Sequence, residues 1–151
     1  MENTFTITRN SRKLLLAFLE SHSVNQLNKI PKGFNNNIFW NIAHIVVTQQ
    51  RIVYSLSGLP MQINEAMADR YKIGTKPEYD ATADEVAELK TLLISTIDKT
   101  EEDFKNNIFV HYKEYPTSVG YTLRNAKDGM EFNNYHEGIH LGAILALRKL
   151  V

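Results

Sequence analysis

Apolar residues recur along this chain at spacings of three and four in four separate stretches, the period of a helix face rather than of a strand. The first stretch predicts a helix from about Thr4 to Ser21, with Ile7, Leu14, Leu15 and Phe18 among its buried residues. Pro31, Gly33 and the run Asn35-Asn36-Asn37 break the chain before a second helix, about Asn37 to Ser57, which Gly58 and Pro60 stop. The third opens with Thr82-Ala83-Asp84-Glu85: the Thr82 side chain can accept from the Glu85 amide while Glu85 reaches back, a capping box. Val86, Leu89, Leu93, Ile97, Thr100 and Phe104 then form one stripe. The fourth helix begins near Thr122 and runs to Val151.

Two linkers are long for such an arrangement. Residues 59–81, with Pro60, Gly74 and Pro77, are expected to wrap the surface with one short helical turn. Residues 108–121 hold Ile108-Phe109-Val110-His111-Tyr112 and then Tyr115-Pro116, a β-like run that reads equally as a short hairpin or as an extended lid. The fold predicted is therefore all-α, an antiparallel four-helix bundle with long crossover linkers, forming a single domain over residues 1–151.

Projected at about 100° per residue, the fourth helix gathers Phe132, Ile139, Ala143, Ala146, Leu147 and Leu150 on one face, with His136 and His140 in its middle. Glu131, Asn134, Glu137, Arg148 and Lys149 fall opposite, as a solvated face. Histidines one turn apart point the same way. Two imidazoles side by side on an apolar face need partners for their nitrogens, and two protonated rings would repel. A shared cation satisfies both, but it needs a third or fourth ligand.

The second helix is apolar over most of its circumference. One narrow strip, Asn41, His44, Thr48, Arg51 and Ser55, is polar, and it reads either as the solvent face or as the polar wall of a site in the bundle centre. His22, at the end of the first helix, suits a capping role. His111 lies in the β-like linker.

His136-Glu137-Gly138-Ile139-His140 also matches H-E-x-x-H, the zinc-peptidase helix whose Glu is a general base. The context argues against that reading. The metzincin continuation requires Gly and His where this chain has Ala143 and Ala146, and too little chain follows His140 to bring a further helix with a Glu ligand.

Composition narrows the functions. Seventeen basic residues balance seventeen acidic ones, so no basic field favours nucleic acid. The absence of cysteine removes disulfides and thiolate ligands, which leaves imidazole and oxygen as donors and suits a reducing cytoplasm. The N-terminus has no basic patch followed by an apolar run, and the most apolar stretch, Ile38 to Leu56, is too polar to span lipid. A cytoplasmic protein with no nucleic-acid or membrane partner is expected.

The tail Tyr135-His136-Glu137-Gly138-Ile139-His140-Leu141-Gly142 and the segment Trp40-Asn41-Ile42-Ala43-His44-Ile45 resemble the last helix and the first ligand helix of the DinB/YfiT-like superfamily. The likeness spans the whole chain. It implies that His44, His136 and His140 form a metal triad, usually described with zinc or nickel, and it selects the inward reading of the polar strip. Many members carry Gln where this chain has Ala143. Relatives include transferases and isomerases that use low-molecular-weight thiols, and others described as hydrolases.

Three neutral imidazoles leave a divalent ion its full charge and at least one open position, the arrangement of a catalytic site for a small-molecule substrate. Bound water would be acidified toward a pKa of ~7 for hydrolysis. A thiol cosubstrate would ionise more readily still, for S-transfer or isomerisation. The alternative is a bundle that binds metal or a small ligand without catalysis. Thr48, Arg51, Tyr112 and Tyr135 are candidates for orienting substrate. Imidazole also suits copper and iron, so the donor set alone does not choose the metal. Apolar positions left on the second helix favour a homodimer.

Overall fold

The computed structural model describes residues 1–151. In chain order the elements are α1 (Glu2–Ser21), α2 (Val24–Asn28), α3 (Ile38–Val53), a 3-10 turn at Ser55–Ser57, α4 (Glu65–Arg70), α5 (Ala83–Lys105), β1 (Tyr115–Pro116), β2 (Thr122–Leu123) and α6 (Ala126–Leu147). Side-chain caps fix most of the helix starts. Asn37 accepts from the Trp40 amide at 2.7 Å, Asn125 accepts from the Asp128 amide at 2.9 Å, and Thr82 and Glu85 form the expected capping box. A second capping box, Ser23 with Gln26, starts α2, a single turn too short to show a periodicity.

Both linkers acquire structure. Residues 59–81 contain α4. Residues 108–121 contribute β1, whose Tyr115 and Pro116 pair antiparallel with Leu123 and Thr122. This hairpin takes up Thr122 and Leu123, so α6 starts at Ala126, later than the apolar pattern suggests, and it closes at Leu147 rather than at Val151.

Contacts between side chains set the helix directions. On α1 and α5, Phe5 meets Phe104 while Arg12 reaches the Leu93 carbonyl, so these helices are antiparallel. On α3 and α6, Asn41 meets His140 while Gln49 meets Met130, again antiparallel. Gln49 meets Thr100 and Tyr54 meets Asp103, so α3 and α5 run the same way. The long crossover through α4 is what allows two parallel neighbours.

The interior is an all-α bundle core divided by a polar band. A larger apolar cluster includes Leu15, Val47, Leu93 and Ile144, and a smaller one includes Phe5, Ile52, Ile97 and Met130. Between them lie buried Thr8 and Arg12 on α1, Gln49 and Gln50 on α3, Thr96 on α5, and Asn133 and Glu137 on α6.

This band explains where the helical wheels went astray. On α1 the buried residues are Phe5, Thr8, Arg12, Leu15, Phe18 and Leu19, so Leu15 and Phe18 are inside as expected, while Ile7 and Leu14 are 57% and 54% exposed. On α6 the buried residues include Met130, Asn133, Glu137, Ile144 and, as expected, Leu147, while Ile139 is 51% exposed and Ala146, with Leu150 beyond the helix, is also outside. Arg12 and Glu137 pair with each other, and a buried ion pair is invisible to a count of apolar positions. On α3 nearly every residue is buried within the chain, so that helix has no spare apolar exterior for a second copy. No helix is long and apolar enough to cross a membrane.

Candidate metal centre

α3 and α6 lie antiparallel, and their facing turns bring three imidazoles together. One ring nitrogen each from His44, His136 and His140 all lie within 4.8 Å of one another. The ring centroids form a near-equilateral triangle, with separations of 5.0, 4.7 and 4.5 Å. The polar strip of α3 therefore faces inward at its N-terminal end, where Asn41 and His44 are buried, and emerges toward Arg51 and Ser55, which are exposed.

The tautomers follow from the outer hydrogen bonds. His44 Nδ1 lies 2.6 Å from the Tyr71 carbonyl, which can only accept, so Nδ1 carries the proton and Nε2 presents a lone pair. Asn41 Nδ2 donates to the Asn37 carbonyl at 2.7 Å, which orients the amide so that Oδ1 accepts from His140 Nδ1 at 2.8 Å. Two of the three rings are thus held as metal ligands usually are, by a second hydrogen bond that fixes the ring and frees the other nitrogen. Trp40 stacks on His44 at 4.7 Å and 10°, which limits rotation of that ring. His136 Nδ1 is buried without a protein partner.

One pair of these nitrogens already stands at the spacing a small cation needs. Zinc–nitrogen bonds of 2.0–2.1 Å in a tetrahedron put neighbouring nitrogens about 3.3 Å apart. His44 Nε2 and His136 Nε2 are 3.2 Å apart. Burial lowers all three pKa values. That of His136 falls to about 3, first by desolvation and then by the neighbouring His140, His44 and Arg12. That of His140 falls to about 4, by desolvation and then by His44. That of His44 is lowered by desolvation, against the opposing pull of the Tyr71 carbonyl. The rings are therefore neutral near pH 7, as ligands must be.

A cleft of about 200 Å³ opens onto this cluster. Its walls include His44, Thr48, Arg51, Ser55 and Ile52 of the α3 segment, Phe132 and His136 of α6, and Thr117 and Ser118 from the hairpin turn. The hairpin thus forms one side of the opening. Thr48 Oγ1 lies 3.3 Å from His44 Nε2 and, since that nitrogen is unprotonated, the hydroxyl donates. Arg51 has no carboxylate within ion-pair distance.

Of the other residues singled out from sequence, Tyr112 and Tyr135 do not line the cleft. The Tyr112 hydroxyl donates to the Ile52 carbonyl at 2.7 Å, behind the cleft wall. Tyr135 is 53% exposed on the outer side of α6. His22 Nδ1 lies 3.0 Å from the Phe18 carbonyl, a C-terminal cap of α1, and His111 is exposed. Glu137, expected on the wet face, is instead 1% exposed and paired with Arg12 on the far side of α6 from the cleft, so it is not placed as the base of a peptidase.

Sequence reading passed over the parts that hold the imidazoles. Asn41 stood in the polar strip without an assigned role. Tyr71 acts through its backbone carbonyl, which no side-chain pattern signals; Ser55, already in the polar strip, lines the cleft, whereas Thr117 and Ser118 reach it through tertiary placement alone.

These features define a helical bundle with a three-histidine cluster able to hold a divalent metal ion. The chain belongs to the DinB superfamily, whose family model matches residues 7–144. No curated protein matches it.

Proposed function

We propose that this protein is a metal-dependent enzyme acting on a small molecule, with zinc or nickel held by His44, His136 and His140. The reaction favoured is S-transfer involving a low-molecular-weight thiol, with hydrolysis as the neighbouring possibility for the same centre. The observation that carries this reading is the cleft: it reaches two of the three imidazoles and supplies hydroxyls and an unpaired guanidinium on one wall.

When bound, a divalent ion held by neutral donors supplies Lewis acidity that favours the ionised form of a thiol or of water. The protein's own residues do the remaining work. Tyr71 and Asn41 hold the protons of His44 and His140 on the side away from the cleft. Thr48 presents a hydroxyl beside His44 Nε2, suited to orient a sulfur or oxygen donor atom. Arg51 lies two helical turns from His44, about 10 Å along the axis, where its charge suits an anionic end of the substrate. Ile52, Leu56 and Phe132 keep the middle of the cleft apolar. In S-transfer the carbon–sulfur bond forms as the bond from that carbon to its leaving group breaks. The thiol proton passes to solvent or to the departing group.

A second reading, a bundle that binds metal or a small ligand without turnover, rests on one observation: the cleft wall contains no carboxylate. A screen of the metal-loaded chain with thiols plus electrophiles, alongside esters and amides, separates the two. Turnover in the wild type that disappears in His140→Ala supports the enzyme. Stoichiometric metal with no turnover on any class supports the binding protein.

A further inference from the structure

α6 turns His136 and His140 toward α3 and leaves its opposite side uncovered. From Phe132 to Leu147 its one carboxylate or strong base is Glu137, which points into the core. The outer face is therefore Tyr135, Gly138, Ile139, Gly142, Leu145 and Ala146, with Tyr135 and Ile139 about half exposed. α1 widens it. Ile7 and Leu14 are exposed on one side of α1, and one turn beyond Leu14 the buried Phe18 lies beneath the guanidinium of Arg148, the C-cap of α6.

The two glycines on this face have no role inside the chain. A Cβ at Gly138 or at Gly142 would meet no atom within 4 Å, and neither backbone needs glycine's freedom. Gly129 of the same helix differs: a Cβ there would lie 2.8 Å from the Ile52 carbonyl oxygen. Interior helical glycine is unfavourable without such a reason, and close approach of another helix is one.

The charges at the two ends say which helix. Laid antiparallel on a second α6 about a two-fold axis beside residue 140, Gly138 falls opposite Gly142 of the partner subunit and Tyr135 opposite Leu145 of the partner subunit. In the same register Glu131, which lies 3.8 Å from Lys127 of its own chain, falls opposite Lys149 of the partner subunit, two residues past the end of α6. One centre serves all three pairs, so the face is self-complementary in register, small residue against small, apolar against apolar and acid against base. We propose that a second copy of this chain docks here, pairing the outer faces of α6 antiparallel and clamping the helix that carries two of the three imidazoles.

Sedimentation velocity on the full chain, from low to high micromolar, tests this. The expected result is a dimer that Gly142→Leu weakens roughly ten-fold or more, with helical circular dichroism and metal content unchanged. Glu131→Lys and Lys149→Glu should each weaken the dimer, and the two together in one chain should restore it. A wild type that stays monomeric throughout, including one that pairs instead with a different protein, overturns the proposal. So does a dimer indifferent to Gly142→Leu and to both charge reversals.

Discussion

Arg12 Nε donates to Glu137 Oε1 at 2.8 Å, with the two side chains 0% and 1% exposed. Asn133 Nδ2 donates to the same oxygen at 2.8 Å, and Arg12 Nη1 donates to the Leu93 carbonyl at 3.4 Å. Glu137 directly follows His136, so the ion pair fixes the rotation of α6 from one side while the imidazoles meet α3 on the other. Removing one partner strands a buried charge, which typically costs about 3–5 kcal/mol. Arg12→Ala and Glu137→Ala should each lose stability on that scale in urea unfolding, whereas Arg12→Met combined with Glu137→Leu should lose far less. Single losses no larger than that of the double would mean the pair does not order α6.

The same pair marks the limit of what the sequence made legible. The four long helices, the Thr82–Glu85 cap and the inward-facing His136 and His140 followed from local spacing, since each depends on neighbours a few residues away. Which flank of α6 turned inward did not, because Glu137 is buried by a residue 125 positions earlier in the chain. His44 was ambiguous for a similar reason: its strip is interior at Asn41 and exterior at Arg51, and a wheel averages the two ends. The hairpin of Tyr115–Pro116 with Thr122–Leu123 was half visible, with an extended run on one side and a partner hidden in what resembled a helix start.

Asn41 should matter for metal affinity more than for folding. Its Oδ1 accepts from His140 Nδ1, and loss of such an outer contact typically lowers affinity about 10–100-fold. Asn41→Ala should show that loss in a competition titration with a chromogenic chelator while retaining its helical spectrum. An unchanged affinity would mean the His140 ring is held by packing alone.

The buried rings predict a defined pH response of the metal-free protein. In the unfolded chain they titrate near 6.5, whereas His136 and His140 sit at about 3 and about 4 when folded and His44 is also lowered. Below 6.5 the unfolded chain takes up protons that the folded rings refuse, so stability falls as the pH drops from there toward the folded values. Above it these rings impose no slope. Thermal melts should be flat in this respect near neutrality and decline on acidification, less steeply in His140→Asn. Metal uptake near pH 7 should release almost no protons from the rings, so its calorimetric heat should not depend on the buffer's ionisation enthalpy. A marked buffer dependence traced to the histidines would place their folded pKa values close to neutrality instead.

Gly129 tests how tightly α6 approaches α3 behind the cleft wall. A Cβ there would lie 2.8 Å from the Ile52 carbonyl oxygen and 3.3 Å from the Tyr112 hydroxyl, which donates to that same carbonyl at 2.7 Å. Alanine offers better helix propensity by about 1 kcal/mol, but crowding a packed contact against backbone typically costs about 1–3 kcal/mol. The sign should therefore be unfavourable: Gly129→Ala lowers the unfolding free energy. Tyr112→Phe should be destabilising on its own, because it leaves the Ile52 carbonyl without that donor, yet it relieves one of the two close contacts that alanine creates. The double variant should accordingly be less destabilised than the two singles added together. Simple additivity would mean the tyrosine yields freely, and a stabilising Gly129→Ala would mean that the two helices stand further apart at this point.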